Sequence, residues 1–436
     1  MSRTTILCLA LTVSIGCAPP QESAPAAGAP VALREVPAEG VVLTNARVLD
    51  GNGGVLDQGS VVVRDGRIVS VTQGAADVPA GALVIDVQGR TVMPSYIDAH
   101  RHIIQGDPDQ WMADRAEASM QEFIAAGFTT VVSAGDAEGQ ILELRRRTAE
   151  GDLQGPRIIA AARAPLAGPA PGGGGRGGAD PARTDVSRPP LRPTQPAPAV
   201  PADATRARVQ TIADAGFDAV KTVIIVTPGG PEQRTLQLVA EESRRLGLMS
   251  LTHAVTVQDT LAAVAAGTHV LAHTPHIGQL TEAQAKTIAD AGIPMISTLG
   301  IFVPFFDTEN MPIFRDELPY PWETISSAGQ GPVNARLLWN AGLTYAFGTD
   351  TRYLPLDTLR QEIKSLFLVF SPQDIIRIMT RNSAAAIGRS DDLGTLETGK
   401  LADIVVLDGD PLEDIFDVLN VRMVLKEGRI LLDEIR

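Results

Sequence analysis

Residues 93–106 read MPSYIDAHRHIIQG, an apolar run that ends in two histidines, His100 and His102. On a β-strand alternate residues point to the same side, so both imidazoles can face one way while Arg101 faces the other. A helix would not bring residues i and i+2 together. The pair is either half of a metal site or two hydrogen-bonded polar residues at a strand end. This stretch alone leaves both interpretations open.

Beyond this stretch, short apolar segments alternate with amphipathic segments rich in Ala, Glu and Arg, most of which end in glycine. Such a pattern is typical of strands that alternate with helices. Eight strands are predicted, near residues 95–100, 129–133, 157–161, 219–225, 249–253, 270–273, 294–297 and 344–349. The sequence therefore predicts an α/β fold whose main part is a (β/α)8 TIM barrel.

The two ends of the chain show a different pattern, with short β-branched runs broken by Asn-Gly and Asp-Gly. Those dipeptides favour tight hairpin turns, so both ends are predicted to be β-structure. We expect them to fold together into one small β-sandwich domain of residues 40–93 plus 394–436. The barrel domain then spans residues 94–393, and its Pro/Gly-rich loop, residues 164–204, follows the third strand on the active-site side.

The first residues have the pattern of a secretory signal. Arg3 precedes an apolar run, residues 6–15, that is too short to span a bilayer. Residues 14–17, Ser-Ile-Gly-Cys, resemble a bacterial lipobox. Residues 1–17 are thus predicted to be a lipoprotein-type signal peptide and residues 18–39 a flexible linker. We expect a periplasmic protein, anchored to a bacterial membrane if Cys17 is lipidated; a plain signal peptide cleaved near Gly16 is the alternative.

Composition narrows the kinds of ligand. The chain has 436 residues and a formal net charge of −14, which repels phosphate backbones, so nucleic-acid binding is not expected. A small-molecule substrate and a possible homo-oligomer remain as partners. The only cysteines are Cys8 and Cys17, so the folded body has neither a disulfide nor a thiolate metal site. Any metal must be held by histidine, carboxylate or a modified side chain.

Polar residues follow several of the predicted strands, at the ends where TIM-barrel active sites lie. Besides the two histidines these are Lys221, His253, His273 and Asp350. Lys221 lies in the apolar run AVKTVII, where a buried ammonium is unfavourable. It is either a strand-end lysine that reaches solvent or an ion pair, or an amine that has captured CO₂ as a carbamate. Asp350 is either a functional carboxylate or a turn-forming aspartate.

Taken in order, the segments IDAHRH, AVKT, LTHA, LAH and FGTDT resemble the amidohydrolase superfamily of metal-dependent hydrolases. The β-rich ends resemble its opening and closing signatures, so the resemblance covers about residues 41–436. The imidazolonepropionase-like and Xaa-Pro dipeptidase-like branch is the most similar. The resemblance implies two divalent metal ions, most simply Zn²⁺, with the ligands His100, His102, Lys221, His253, His273 and Asp350.

In that resemblance, His100, His102 and Asp350 would hold the more buried ion, and His253 and His273 the second. Carboxylated Lys221 and a hydroxide would bridge the two ions, and Asp350 would be the catalytic proton carrier. The implied reaction is hydrolysis of the C–N amide bond of small dipeptide-like or N-acyl amino acid substrates. Hydrolysis of a cyclic amide, lactone or imidazolone is an alternative, and a non-catalytic surface lipoprotein that binds ligands is another.

Substrate contacts are harder to assign, because three motifs depart from the family. PSYID replaces PGFID, GGGGRGGADP replaces a Gly-Gly-His segment, and Ala-His-Thr replaces Glu-His-Gly. The aromatic segment at residues 300–322 forms either a pocket wall or a small core of its own. Asp98 either orients a histidine or caps a turn. The candidate substrate-binding residues are Tyr96, Arg176, His276, Arg352 and Tyr353.

Overall fold

The strands form two separate sheets in the structure, a computed structural model that describes residues 34–168, 195–301 and 327–435. Eight strands from the two chain ends form the first sheet, and eight consecutive strands form the second. The strands are β1 (Val41–Leu49), β2 (Val55–Arg64), β3 (Arg67–Gln73), β4 (Leu83–Asp86), β5 (Thr91–Pro94), β6 (Tyr96–Arg101), β7 (Phe128–Ala134), β8 (Arg157–Arg163), β9 (Ala219–Val223), β10 (Met249–His253), β11 (Val270–Ala272), β12 (Met295–Ile296), β13 (Tyr345–Ala346), β14 (Ile404–Leu407), β15 (Val421–Lys426) and β16 (Arg429–Asp433).

The terminal sheet has the strand order β16-β15-β14-β5-β1-β2-β3, and β4 also pairs with β1. Its hairpins close through two-residue turns, Asp65-Gly66 and Glu427-Gly428, in which both residues have positive φ. That conformation is the one a tight hairpin requires, and it is why Asp-Gly marks the turn in the sequence. The C-terminal strand β14 pairs antiparallel with β5, so the two chain ends share one sheet and one apolar core.

The second sheet is parallel throughout, in the order β6 to β13. Backbone hydrogen bonds join its first and last members: the amide of Ala99 donates to Phe347 O (3.0 Å), and the amide of Asp350 donates to His100 O (2.8 Å). These bonds close the barrel. Apolar side chains from seven of its strands fill the interior, and a second, larger cluster packs the strands against the helices. The predicted TIM barrel with a small terminal β-domain is confirmed; the predicted domain boundaries remain predictions.

Helices connect the barrel strands, and their amphipathic faces pack on the outside of the barrel. Six predicted helix stops, all glycines, have positive φ as expected of this position: Gly127, Gly216, Gly247, Gly267, Gly292 and Gly342. No helix among the described residues is long and apolar enough to cross a membrane. The helices are α1 (Pro108–Asp114), α2 (Ala116–Ala125), α3 (Glu138–Glu150), α4 (Ala202–Asp214), α5 (Glu232–Arg245), α6 (Val257–Ala265), α7 (Glu282–Asp290), α8 (Ser327–Asn340), α9 (Pro355–Phe367), α10 (Pro372–Arg377) and α11 (Ser383–Ala386).

Several predictions fall on segments outside the described residues. These are the signal peptide with Cys17, the linker up to residue 33, residues 169–194 of the Pro/Gly-rich loop with Arg176, and residues 302–322 of the aromatic segment.

Candidate metal centre

His100, His102 and Asp350 converge at the carboxyl ends of the first and last barrel strands. Oδ1 of Asp350 lies 3.1 Å from Nε2 of His100 and 3.2 Å from Nε2 of His102. Ligands of a tetrahedral ion with bonds of about 2.0–2.1 Å stand roughly 3.3 Å apart, so these spacings fit a zinc-like ion. Two imidazoles and a carboxylate are also a donor set that a divalent metal of this type accepts. Among the residues that the structure describes, this trio alone meets the spacing for three ligands.

An irregularity in β6 brings both histidines to the barrel interior. Ile97 and Ala99 already face the interior cluster, and strict alternation would place Arg101 there next. Instead the pairing with β7 shifts register between Asp98 and Arg101. A bulge of this kind changes which side a residue faces. As the sequence predicts, Arg101 lies on the other side of the strand from the histidines. Its side chain is buried, and its Cζ is 5.0 Å from the centroid of the Phe123 ring.

Lys221 lies inside the same site. Its side chain is buried, and Nζ is 3.4 Å from Nε2 of His100. Burial lowers the pKa of Lys221 to about 7, opposed by Asp350, while Arg163 lowers the pKa further. The solvent-reaching interpretation of this lysine is therefore wrong, since the amine points into the barrel.

His253 and His273 form the other half of the cluster. Their ring centroids are 4.3 Å apart, and His273 is 5.0 Å from the ring of His100. Nε2 of His273 lies 3.8 Å from Oδ2 of Asp350. Its Nδ1 shares a 2.7 Å hydrogen bond with Oγ1 of Thr298, and this bond leaves Nε2 as the nitrogen directed at the site.

Three residues around the centre have left-handed backbone conformations although none is glycine: His273 (φ 80°), Thr298 (φ 47°) and Asp350 (φ 48°). Each follows closely after a short strand, β11, β12 or β13. The sequence predicts longer strands here, which extend to residues 273, 297 and 349. The chain leaves the ladder early because this conformation cannot continue a strand, and it turns the side chains towards the site.

The electrostatics set the protonation states that metal binding needs. Burial lowers the pKa of His100 to about 4 and of His253 to about 3, and it lowers the pKa of His273 well below its usual value. Burial alone would raise the pKa of Asp350, but His100 and His273 hold it well below its ordinary value. At neutral pH the imidazoles of His100, His253 and His273 are therefore neutral, and the carboxylate of Asp350 is ionised.

Two carboxylates support the trio. Asp98 is buried and accepts hydrogen bonds from Thr349 Oγ1 (2.7 Å) and from the amide of His100 (3.1 Å). Burial raises the pKa of Asp98 to about 6. Asp136 accepts from the amide of Ile103 (2.9 Å) and lies 4.0 Å from Nδ1 of His102. Asp98 thus fixes the backbone of the histidine strand, whereas Asp136, which the sequence did not single out, faces a histidine ring.

A third buried carboxylate, Glu362 of α9, holds the segment that carries Thr298. It accepts from the Ser297 hydroxyl (2.5 Å) and from the amides of Leu299 (3.0 Å) and Gly300 (2.6 Å). Burial raises the pKa of Glu362 to about 7. Nothing in the sequence indicated this residue, because it occupies an ordinary position in an amphipathic helix.

The residues that the sequence predicts to bind substrate lie in different surroundings, and not all of them can reach a substrate. Tyr96 is fully buried and its hydroxyl donates to Val418 O (2.9 Å), so its assignment to substrate binding is wrong. His276 is buried, and burial lowers its pKa to about 4; it is close enough to lower the pKa of His253. Arg352 and Tyr353 lie just beyond Asp350, beside a pocket that opens at His102.

A closed parallel barrel with imidazoles, a buried lysine and an aspartate at the carboxyl ends of its strands defines a class of metal-dependent hydrolases. Within that class, the chain belongs to the amidohydrolase family, whose sequence profile matches residues 91–431. The protein is accordingly a metal-dependent hydrolase that acts on carbon–nitrogen bonds of small molecules.

Individual relatives are more distant. The imidazolonepropionase of Sphingopyxis alaskensis is 26% identical over 412 residues, which cover 86% of this chain and 93% of that protein. A Xaa-Pro dipeptidase crystallised with methionine in its active site has a similar fold, with a TM-score of 0.71, 22% identity, and coverage of 90% of this chain and 99% of its own. Ochratoxinase of A. niger also has a similar fold, with a TM-score of 0.69 and 20% identity. The match covers 91% of this chain and 96% of ochratoxinase.

Proposed function

We propose that this hydrolase cleaves the amide bond of small dipeptide-like or N-acyl amino acid substrates with two divalent metal ions, Zn²⁺ being the best match to the donors. The observation that carries the proposal is the convergence of His100, His102 and Asp350 at ligand spacing, with Lys221 and His273 beside them. The fold shared with a Xaa-Pro dipeptidase supports a dipeptide-like substrate.

In this proposal His100, His102 and Asp350 would hold one ion, and His253 and His273 would hold the other. Lys221, as a carbamate, would supply a further anionic ligand. Its neutral Nζ adds to the carbon of CO₂ as one C=O π bond opens onto oxygen, and the nitrogen releases a proton to solvent, so the amine becomes an anionic carbamate. Burial of Nζ beside an imidazole supports this step, because the neutral amine is the form that reacts.

When bound, the ions lower the pKa of a water molecule and polarise the substrate carbonyl. The proton transfer belongs to Asp350, which is ionised and has one oxygen against both histidines of β6 and the other towards His273. Its carboxylate accepts the proton that the attacking water loses and then donates it to the leaving nitrogen. The amine therefore departs in its neutral form.

A second candidate function is hydrolysis of a cyclic amide such as an imidazolone. The similarity to an imidazolonepropionase over most of both chains favours it. The carbonyl of a cyclic amide would be attacked at the same metal centre. The two candidate functions therefore require the same chemistry and differ only in the shape of the substrate pocket.

Metal analysis and a substrate screen test the proposal. The purified protein should contain close to two metal ions per chain. The zinc-loaded form should hydrolyse members of a library of dipeptides, N-acyl amino acids and cyclic amides. A folded protein without metal, or one inactive on all three classes, would contradict the proposal and favour a binding lipoprotein.

Replacing the lysine tests the carbamate. Lys221→Ala should lose bound metal and at least about a hundredfold in kcat, because one shared ligand is removed. Acetate or propionate should restore part of the activity. Lys286→Ala, at an exposed lysine of α7 that pairs with Asp290, is the matched control and should match the parent protein. Full activity of Lys221→Ala would rule out the carbamate.

We also propose secretion across the inner membrane, with a lipid anchor at Cys17. The signal-like residues 1–17 support this proposal. Palmitate labelling that disappears in Cys17→Ser would be the expected result, whereas labelling that persists, or an absence of labelling in the parent protein, would favour a free periplasmic enzyme.

A further inference from the structure

Arg101 stands between the two histidines of β6 but has no part in the proposed chemistry. Its side chain is 2% exposed and is one of the largest that the described part of the protein buries almost completely. Burial of a charged group is unfavourable, and an apolar residue of similar volume often fills such a place at lower cost. The partners of the guanidinium therefore indicate what this charge does in the fold.

The guanidinium of Arg101 joins the two ends of the segment that carries Asp350. Its Nη1 donates to Oγ1 of Thr349 (2.9 Å), and its Nη2 donates to the backbone oxygen of Tyr353. Nη1 also donates to Oγ1 of Thr358 (2.6 Å) in α9, which anchors the group from outside the segment. Because a guanidinium is planar and holds its donors in a fixed fork, these bonds set the distance between residues 349 and 353.

Asp98 holds the same segment from β6. Its Oδ2 accepts a hydrogen bond from Oγ1 of Thr349 (2.7 Å) and lies 3.7 Å from Nη1 of Arg101. The Thr349 hydroxyl therefore donates to a carboxylate and accepts from a guanidinium, so its orientation is fixed from both sides. At 3.7 Å the two charges attract without a direct hydrogen bond, and the donors of Arg101 remain on the neutral oxygens of the segment and of α9.

The backbone of β6 contacts this segment as well. The amide of Asp350 donates to His100 O (2.8 Å), and the amide of His102 donates to Thr351 O (3.3 Å). Asp350 has a left-handed conformation, with φ 48°, which persists only where several contacts determine it together. Strand β6 thus supplies two imidazoles on one side, and on its other side Arg101 holds the segment that supplies the carboxylate of the trio.

We propose that Arg101 is a positioning residue for Asp350. By bonding both ends of residues 349–353, it keeps the carboxylate at ligand distance from the two histidines of β6. The inference rests on the proposed metal centre and deepens it, because it names the group that fixes the third ligand. Arg101 acts through this segment and not on the substrate, so its loss lowers metal affinity and kcat and leaves KM nearly unchanged.

Matched arginine variants test the inference. Arg101→Met removes the guanidinium but keeps an unbranched side chain, and it should weaken one of the two metal ions about 10–100-fold in a chelator titration. For a substrate that the parent protein hydrolyses, kcat should fall about a hundredfold, while KM changes less than about threefold. Arg336→Met is the control, at an arginine of α8 whose Nη1 donates to Val369 O (2.9 Å), and it should keep both values. Parent-like metal affinity and kcat in Arg101→Met would overturn the inference.

Two milder variants decide the question if Arg101→Met does not fold. Arg101→Lys keeps the charge beside Asp98, but its single ammonium nitrogen cannot reproduce the fork that reaches both ends of the segment. Thr349→Val keeps Arg101 and removes one of its acceptors. Each variant should weaken the same metal ion about tenfold. Unchanged metal affinity in both would refute the positioning role.

Hydrogen exchange keeps the test independent of the proposed function. It is measured by mass spectrometry on the full chain, before and after zinc loading. Amides of residues 349–353 should exchange about tenfold faster in Arg101→Lys than in the parent protein, whereas amides of α8 should not change. Equal exchange of this segment in the two proteins would contradict the inference. A parent protein that binds no metal, with faster exchange in the variant, would count against the proposed metal centre alone.

Discussion

At the scale of single residues, the site depends on backbone conformations that side chains rarely adopt. His273, Thr298 and Asp350 all have positive φ, at a cost on the order of 1–3 kcal/mol each. Surrounding hydrogen bonds maintain them, for instance the bond from the Asp350 amide to His100 O. The strained conformations turn His273, which follows β11, and Asp350, which follows β13, towards one point although β12 lies between the two strands.

Removing the Thr298 hydroxyl should weaken metal binding. Thr298→Val keeps the shape and the β-branch but leaves Nδ1 of His273 without its 2.7 Å partner. Loss of such an orienting partner lowers metal affinity about 10–100-fold. Titration of the metal-loaded variant with a chelator should show lower affinity for one of the two bound metal ions.

Two further variants check that this effect is specific. Thr298→Ser retains the hydroxyl and should restore affinity. Thr287→Val removes a hydroxyl on the exposed side of α7, where it donates to Ala283 O, and should leave affinity unchanged. Equal metal affinity in Thr298→Val and the parent protein would show that Thr298 does not orient His273.

At the scale of elements, the sequence predicts the order of the strands and helices and of the site motifs along the chain. It does not predict the local backbone geometry at the site. Alternation of strands and helices predicts the barrel, and polar residues at strand ends predict where side chains converge. The bulge in β6 has no signature, because it arises from pairing with β7. The sequence does not explain Ser95; its hydroxyl shares a hydrogen bond with the hydroxyl of Thr129 in β7, 34 residues further along the chain. Glu362 was missed for the same reason, since its partners lie more than sixty residues away.

Helix α9 should make stability depend on pH through Glu362. Its pKa of about 7 in the folded protein exceeds the ordinary value of 4.5, so folding favours the protonated form. The stabilisation is fully present below about pH 4.5 and is lost as pH rises through 7. Between pH 5.5 and 8 the parent protein should therefore lose about 2 kcal/mol more than Glu362→Gln. Urea unfolding of both metal-loaded proteins at the two pH values measures the difference, and parallel pH profiles would contradict it.

At the scale of the whole molecule, a buried polar network joins the barrel to the terminal sheet. Asp403, just before β14, accepts from Arg157 of β8 (2.9 Å) and from Thr129 of β7 (2.8 Å), and from the amide of Glu427 (2.9 Å). Ser95 extends the network through Thr129. The contacts lie at the amino ends of the barrel strands, away from the metal centre, so this face serves stability.

Breaking this network should destabilise the protein without changing its chemistry. Asp403→Ala removes the buried partner of Arg157, which keeps the half-exposed Glu427, and should lower the free energy of unfolding by about 3 kcal/mol. Asp57→Ala removes an exposed partner of Arg47 and should cost less than about 1 kcal/mol. Denaturant unfolding compares the two variants, and similar small losses in both would show that the network contributes little.

The pairing of β14 with β5 has a consequence for how the chain is made. Strand β5 ends at Pro94 and its partner begins at Ile404, so that edge stays open until almost the entire polypeptide has been synthesised. An open strand edge is a template for pairing with other chains. Nascent chains that stop before residue 404 would expose this edge, and they are the species we expect to aggregate or to need a chaperone.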